Sequence, residues 1–410
     1  MSDLGLRVVS GLGVFALVGI AWLCSNDRRR FPRRVVVIGL ALQLALALLL
    51  LRTGPGQRIF LVTNDLVLQL VTFTEAGSKF LFGPLKDAGF SILLDVLPII
   101  IFMGSLFAIL YHLGLVQWVV NRLAGLLSRT MNISGAESLA AVANIFVGMT
   151  EAPLLVRPYL ERMTRSELFT VMTTGMATIA GSVLVAYAQI LGGDVYAGHL
   201  VTASLLSAPA GILIAKVMVP ESDAPVTAEL GHAEVPVTSV NLIDAASQGA
   251  LAALRLAAYI GALLLAFVAL VAMVNGMLGF AGGLVGIPDL TLQRIFGLAF
   301  APLALLMGVP WSEATQVGQL LGVKTVLNEF LAFQDLAVLM EAGAISARSA
   351  VISSYALCGF ANFGSLAILI GGVGGMAPSR RPDLAELGLR SILAGTLATM
   401  MTGCMAGLLL

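Results

Sequence analysis

The chain has 410 residues, of which 58% are hydrophobic and only 11% are charged, whereas ordinary globular domains have about 45–50% and about 25%. Its 23 basic and 23 acidic residues cancel, so the composition gives no basic surface for nucleic acid. The cysteines and histidines are scattered without metal-binding spacing, which argues against a disulfide framework, a structural zinc site and a Ser-His-Asp enzyme.

Several apolar runs of about 18 or more residues are long enough to cross a hydrocarbon layer of ~30 Å as helices. The first run is interpreted as a retained helix and not a signal peptide, because its basic cluster follows the apolar stretch. Segment 56–82 is amphipathic and is expected to lie along the outer surface, and 288–308 to form a second interfacial helix. The predicted spans are 6–24, 35–52, 88–113, 166–191, 197–219, 252–279, 346–372 and 386–409.

Arginines in the connections predict the orientation. The segment "SNDRRRFPRR" follows the first span, and the positive-inside rule places it in the cytoplasm. The segments "RPYLERMTRSE" and "SRRPD" are then also cytoplasmic if there are about eight crossings. The sequence therefore predicts a multi-pass protein of the cytoplasmic (inner) membrane, with the N- and C-termini on the outer side.

Two segments, 134–160 and 311–341, do not fit as simple spans. Each is long enough for two short helices but carries a carboxylate near its middle, Glu151 in the first and Glu329 in the second. In a straight transmembrane helix, such a carboxylate costs ~2.5–3.5 kcal/mol at the bilayer centre. Re-entrant hairpins would instead place these polar tips in a cavity lined by protein, where irregular backbone is tolerated.

The spans that follow these hairpins contain "MATIAGS" and "FANFGS". In each, a polar residue and a Gly-Ser pair interrupt an apolar helix, which is typical of a broken helix with free backbone carbonyls. The order of hairpin, broken helix and helix thus occurs twice, at 134–219 and 311–409, and the orientation makes the copies inverted. The predicted fold is an all-α integral membrane protein with inverted repeats, the architecture of secondary transporters.

Three motifs, "GMTEAPLLVRPYL", "NEFLAF" and "GFANFGS", resemble in this order the concentrative nucleoside transporters, whose patterns read approximately G-Q-T-E-A-P-L, N-E-F and F-A-N-F-S-S. The resemblance runs from about residue 85 to the C-terminus. It implies a homotrimer in the lipid bilayer, in which a scaffold holds hairpins and broken helices that carry the substrate. The implied division is 1–115 (N-terminal scaffold helices and outer amphipathic segment), 116–219 (first repeat), 220–287 (cytoplasmic linker and scaffold helix) and 288–410 (second repeat).

The chemistry of a nucleoside fits the polar residues of these motifs. Ribose hydroxyls donate well to the carboxylates of Glu151 and Glu329. In the family, the positions matching Asn362 and Ser365 contact ribose, and the tip of the first hairpin faces the base. The candidate substrate-binding residues are Gly148, Met149, Thr150, Glu151, Val183, Asn328, Glu329, Phe360, Asn362 and Ser365.

A coupled ion is expected, because the chain has no GxxxxGK[ST] motif for nucleotide-driven transport. Asn144 and Thr178 match the side-chain sodium ligands of the family, and Val147 and Ile179 match positions that offer carbonyl oxygens. The resemblance thus implies sodium as the coupling ion, without an organic cofactor. Protons carried by Glu151 or Glu329 are the alternative. An intramembrane enzyme would need a nucleophile beside a base, and a passive channel a continuous polar stripe; neither pattern is found, and no catalytic residue is proposed.

Several residues also have purely structural interpretations. Glu151 could pair with Arg157, and Glu329 with Lys324, although intramembrane acids are usually functional. Asn362 could join two helices by a hydrogen bond, and the aromatic Phe360 could simply pack.

Selectivity is predicted from one departure from the family pattern. Met149 stands where many members have glutamine, so an amide that could pair with a pyrimidine edge is replaced by a thioether. Together with Gly148, Ser182 and Val183, this residue makes the chain resemble the purine-preferring members, with uridine tolerated. The alternative is that Met149 packs inside the hairpin and selectivity is broad.

Overall fold

A computed structural model describes residues 3–88, 91–193, 195–225, 239–284, 286–287 and 289–410. All regular elements in these ranges are helical, and none is a strand. The α-helices of the N-terminal part are α1 (Asp3–Leu23), α2 (Arg33–Arg52), α3 (Gly54–Phe82), α4 (Leu97–His112) and α5 (Leu115–Met131).

The first repeat follows, and capping boxes begin two of its helices. Ser134 and Glu137 cap one, and Thr164 and Glu167 cap the other, so the first free N–H groups of each helix are satisfied. The helices are α6 (Gly135–Ala143), α7 (Ala152–Leu155), α8 (Arg165–Ala177), α9 (Gly181–Ile190) and α10 (Tyr196–Met218). We call 135–159 the first hairpin and 178–180, between α8 and α9, the first break.

The second repeat has the same order of elements. Its helices, with the long helix that precedes them, are α11 (Leu242–Leu284), α12 (Leu292–Leu306), α13 (Ala314–Val326), α14 (Glu329–Glu341), α15 (Ala347–Leu357), α16 (Phe363–Met376) and α17 (Arg381–Leu409). We call 314–341 the second hairpin and 358–362, between α15 and α16, the second break. The predicted all-α fold with two hairpins and two broken helices is confirmed.

The second break packs against the end of α8, just before the first break, in the buried interior of the protein. Helix α10 packs on α8 and α17 on α15, and each also packs on the broken helix of the other repeat. Gly359 marks the crossing, since a Cβ there would lie 2.6 Å from Thr399 Cγ2 and 2.8 Å from the Met176 carbonyl. Only a residue without a side chain allows this approach.

The first hairpin differs from the expected pair of helices. Its second arm has only the four-residue α7 and a 3-10 turn, Arg157–Tyr159. Pro158 explains this, because its ring lacks an N–H and clashes with the carbonyl four residues earlier in a helix. The base of the hairpin is anchored by Lys216, whose Nζ lies 2.8 Å from Glu137 Oε2 and donates to Ser166 Oγ at 3.0 Å.

Eight helical segments in the described ranges are long and apolar enough to cross a membrane, which is the number expected from the sequence. The set of membrane-length helices differs from the predicted set of spans at two places. Residues 54–86 qualify, although 56–82 was expected along the outer surface, and 346–372 does not, because the second break divides it into helices of 11 and 14 residues. Helix α11, with 43 residues, is longer than the predicted span 252–279.

Helix α3 contacts the ends of other helices at three places. It begins directly after α2, Asn64 Oδ1 accepts from Gly198 N in the first turn of α10 at 2.7 Å, and Ser78 donates to the Leu94 carbonyl just before α4 at 2.7 Å. The predicted linker 220–240 is described only at its two ends; residues 226–238 lie outside the described residues.

Candidate functional site

A cavity of about 600 Å³ lies where the two hairpin tips meet the second halves of the two broken helices. It is large enough for a molecule of several rings, since ligand pockets measure about 300–1,000 Å³. The residues predicted to bind substrate all line it: Gly148, Met149, Thr150, Glu151, Val183, Asn328, Glu329, Phe360, Asn362 and Ser365.

Glu329 is the best-organised polar group of the cavity. Its Oε1 accepts from the Tyr187 hydroxyl at 2.6 Å, and its Oε2 accepts from Asn362 Nδ2 at 2.8 Å. The side chain is buried, and Lys324 forms no ion pair with it among the described residues; the predicted alternative of a Glu329–Lys324 pair is therefore not found. Each carboxylate oxygen keeps further acceptor capacity for a hydroxyl donor from the cavity.

Two asparagines cap helices that begin at the cavity. Asn328 Oδ1 accepts from Leu331 N at 2.9 Å and starts α14, and Asn362 Oδ1 accepts from Ser365 N at 2.8 Å and starts α16. These bonds fix both side chains, because an N-cap oxygen satisfies a free N–H of the first turn. Asn362 thus joins the start of α16 to the Glu329 carboxylate at the start of α14, a hydrogen bond between two helices of the kind that the structural interpretation expects.

The tip of the first hairpin presents Glu151 to the cavity. Glu151 is exposed, and no ion pair to Arg157 exists in the part of the chain that the structure describes. Gly148 adopts φ +102°, and a Cβ there would lie 3.0 Å from Glu151 Oε2. The bend therefore needs glycine for its backbone angle, and a Cβ would also crowd the carboxylate.

Met149 and Phe360 are each packed partly inside the protein and partly against the cavity. Met149 is only 8% exposed and packs against Gly175 of α8, yet it reaches the cavity wall. Phe360 is half-buried within the second break and also lines the cavity.

Sequence reasoning missed Tyr187. It stacks on Phe333 with ring centroids 4.6 Å apart and meets Phe330 edge-on at 5.8 Å, which holds its hydroxyl on Glu329. The available signal was its position four residues after Val183, on the same face of α9. The apolar wall from α4 and α11 was also missed, including Phe107, Tyr259 and Phe267.

The predicted sodium ligands lie beside the first break. Asn144 is fully buried, and neither its Oδ1 nor its Nδ2 has a hydrogen-bond partner within the described ranges. Phe146 O accepts from Gly181 N at 3.1 Å and ties the hairpin tip to the break. No backbone N–H of the described segments donates to the carbonyls of Val147 or Ile179. Thr178 Oγ1 donates to Thr174 O at 2.8 Å and keeps lone pairs free.

Three family models match the chain in order. The model described as "Na+ dependent nucleoside transporter N-terminus" matches residues 12–85, "Nucleoside recognition" matches 93–194, and "Na+ dependent nucleoside transporter C-terminus" matches 199–407. The chain belongs to the concentrative nucleoside transporter family. The resemblance inferred from three short motifs is confirmed.

Relatives of this nucleoside transporter span nearly its whole length. The "Uncharacterized transporter YutK" of Bacillus subtilis (strain 168) is 45% identical over 400 residues, which cover 97% of this chain and 98% of the relative. "Solute carrier family 28 member 3" of Mus musculus is 42% identical over 417 residues, covering 98% of this chain and 59% of the longer relative.

Solved structures of CNTnw share the fold. An inward-facing, substrate-bound structure has a TM-score of 0.92 at 42% identity, and an outward-facing double variant has 0.93 at 42% identity; each comparison covers 98% of both chains. Since the family and these neighbours are transporters, the interpretation as a multi-pass membrane transporter and not an enzyme is confirmed.

Proposed function

We propose that this nucleoside transporter imports nucleosides by alternating access and couples their uptake to a sodium gradient. One observation carries the proposal: both hairpin tips and the halves of both broken helices converge on a single cavity that holds two carboxylates. A site built from both repeats can be exposed to either side of the membrane by moving them together. The interpretation as a channel has no such support.

Ribose is the part of the substrate that the second repeat would hold. Glu329 offers acceptors to ribose hydroxyls, while Asn362 and Ser365 stand beside it at the start of α16. The bonds from Tyr187 and Asn362 hold the carboxylate before substrate arrives, which lowers the ordering cost of binding.

The base would lie against the first hairpin. Gly148, Met149, Thr150 and Glu151 form its tip, and Val183 and Phe360 add apolar surface on either side. The thioether of Met149 favours a purine face over the edge contacts of a pyrimidine. We therefore propose a preference for purine nucleosides, with uridine also accepted. The alternative is that Met149 only packs tightly on α8 and that selectivity is broad.

Sodium would be held by Asn144, Thr178, Val147 and Ile179, as the family resemblance implies. The orphaned side chain of Asn144 fits this use, because a buried amide without a partner is costly unless a ligand satisfies it. Neutral oxygens suit a monovalent hard cation, and no cluster of three or more His, Cys, Asp or Glu residues that could hold a metal occurs in the described ranges. Proton coupling through Glu151 or Glu329 is the second candidate, because both acids lie at the cavity.

We further propose the homotrimer, the inner-membrane location and the outer position of both termini. Helix α11, whose 43 residues extend about 65 Å at 1.5 Å per residue, exposes large apolar side chains that lipid or a neighbouring subunit would cover. The contacts of α3 with helix ends support its placement along the outer surface, within a scaffold that also contains α1, α2, α4 and α11.

Competition between labelled uridine and labelled adenosine, with sodium present and replaced by choline, tests the function. We expect uptake of both only with sodium, and stronger competition by purine nucleosides. Equal uptake in choline would contradict sodium coupling, and cytidine competing as well as adenosine would contradict the purine preference.

A further inference from the structure

Lys324 is a fully buried lysine that makes no direct ion pair with an acidic side chain in the described part of the chain. Its side chain is 0% exposed at the end of α13, in the second hairpin. No carboxylate of the described residues forms an ion pair with it within 4.0 Å. A buried ammonium group is strongly destabilising unless other groups compensate its charge.

Two acceptors compensate the buried amino group, one at the end of α15 next to the second break and one in α17. Lys324 Nζ donates to the Ala356 carbonyl at 2.7 Å and to Thr399 Oγ1 at 2.8 Å. Ala356 lies in the last turn of α15, where the carbonyls are free and the helix dipole is negative. The lysine therefore joins the second hairpin, the end of α15 and α17.

The first repeat has the same arrangement without the lysine. Gly211 of α10 lies against Thr174 and Ala177 of α8, and Gly403 of α17 lies against Ile352 and Ala356 of α15. These contacts set the two repeats in register.

Ser207 precedes Gly211 by four residues, and Thr399 precedes Gly403 by four residues. The two residues therefore occupy corresponding positions in the two repeats. The Ser207 hydroxyl is fully buried and has no hydrogen-bond partner in the part of the chain described. Asn144, which directly follows α6 in the first arm of the first hairpin, is also unpartnered there, and Lys324 lies in the last turn of α13 in the first arm of the second hairpin. The first repeat thus contains unsatisfied neutral groups where the second repeat holds a hydrogen-bonded lysine.

We propose that the Lys324 ammonium group is a resident cation that holds the second break together, in the place where the first break takes a cation from solution. Its role in coupling rests on the proposed sodium dependence. With such a resident cation, the second repeat keeps its charge throughout transport, and only the first repeat exchanges an ion. Lys324 acts as a positioning residue, since it does not line the cavity.

Two variants that replace Lys324 by a neutral residue test whether its charge is needed. Lys324→Met keeps most of the length, and Lys324→Ala leaves room for n-propylammonium, which replaces the three missing methylenes and the ammonium. Both variants are expected to lose ~10-fold or more of the uptake rate, because the Ala356 carbonyl and the Thr399 hydroxyl lose a charged donor, and to melt at lower temperature. Added n-propylammonium should restore uptake and melting temperature in Lys324→Ala and not in Lys324→Met. Unchanged behaviour of Lys324→Met, or equal effects of the amine on both variants, would overturn the proposal.

Lys324→Asn tests the correspondence with the first break, because it copies Asn144. Uptake should then require a second cation, and the Hill coefficient for sodium should rise from near 1 toward ~2. An active variant with the sodium dependence of the unmodified protein contradicts the proposal. If the unmodified protein needs no sodium, the proposed coupling fails, and the amine rescue still decides the role of Lys324.

Thr399 provides a second route if the lysine variants do not accumulate. Thr399→Val removes one acceptor of Lys324 at nearly constant size, and Thr399→Ser keeps the hydroxyl. We expect lower melting temperature and slower uptake for valine and not for serine. Equal behaviour of the two variants would overturn the proposal.

Discussion

Replacing Glu329 by glutamine perturbs the proposed ribose site with the least change in shape. Glu329 accepts from Tyr187 at 2.6 Å and from Asn362 at 2.8 Å. The glutamine amide nitrogen cannot accept from Tyr187 or from a ribose hydroxyl, and the negative charge is lost. Transport of all nucleosides should therefore be severely weakened together.

The magnitude follows from these contacts. Hydrogen bonds to charged groups contribute ~1.5–3 kcal/mol, and those between neutral groups ~0.5–1.5 kcal/mol. Losing ~1–3 kcal/mol of substrate binding corresponds to about 5- to 150-fold lower affinity. Tyr187→Phe is the control, because it removes one donor and keeps the carboxylate, so its loss should be smaller.

Calorimetric titration of the purified protein at saturating sodium measures this effect. Adenosine and its 2′-deoxy and 3′-deoxy analogues should be compared on both variants and the unmodified protein. The loss in Glu329→Gln should be largest for adenosine and smaller for the analogue that lacks the bonded hydroxyl. Unchanged affinity, or an equal loss for all three ligands, would refute the assignment of Glu329 to ribose.

Three further predictions concern the first repeat. Asn144→Ala and Thr178→Val should each raise the half-saturating sodium concentration of uptake by ~10-fold, the size of one lost buried contact, with little change of binding at saturating sodium; an unchanged sodium curve would remove both residues from the ion site. Met149→Gln should shift competition toward pyrimidine nucleosides by ~10-fold or more, and an unaltered ratio of adenosine to cytidine competition would favour simple packing. Gly148→Ala should slow uptake and lower the melting temperature, because its φ of +102° costs ~1–3 kcal/mol for other residues; wild-type stability and uptake would show that the bend tolerates a side chain.

The overall fold could be predicted because polar residues stand out in an apolar chain. Glu151 and Glu329 marked the hairpins, and the Gly-Ser pairs at 181–182 and 364–365 marked the broken helices. Membrane-spanning helices need an internal partner for every backbone group, so departures from a continuous apolar run are strong signals. Local sequence therefore determined the elements and their order.

Contacts between distant segments could not be predicted in the same way. Tyr187 reaches Glu329 across 142 residues, and Lys324 reaches Thr399 across 75. Neither bond leaves a periodic pattern in the chain, because it depends on how two helices cross. The short length of α7 could in principle have been predicted from Pro153 and Pro158, because the effects of proline on a helix are local.

Uptake into proteoliposomes under imposed ion gradients tests the central claim most directly. We predict that labelled adenosine accumulates above its outside concentration when sodium is present only outside, and that a sodium ionophore abolishes the accumulation. Accumulation driven to the same level by an inward proton gradient in sodium-free buffer would contradict the account.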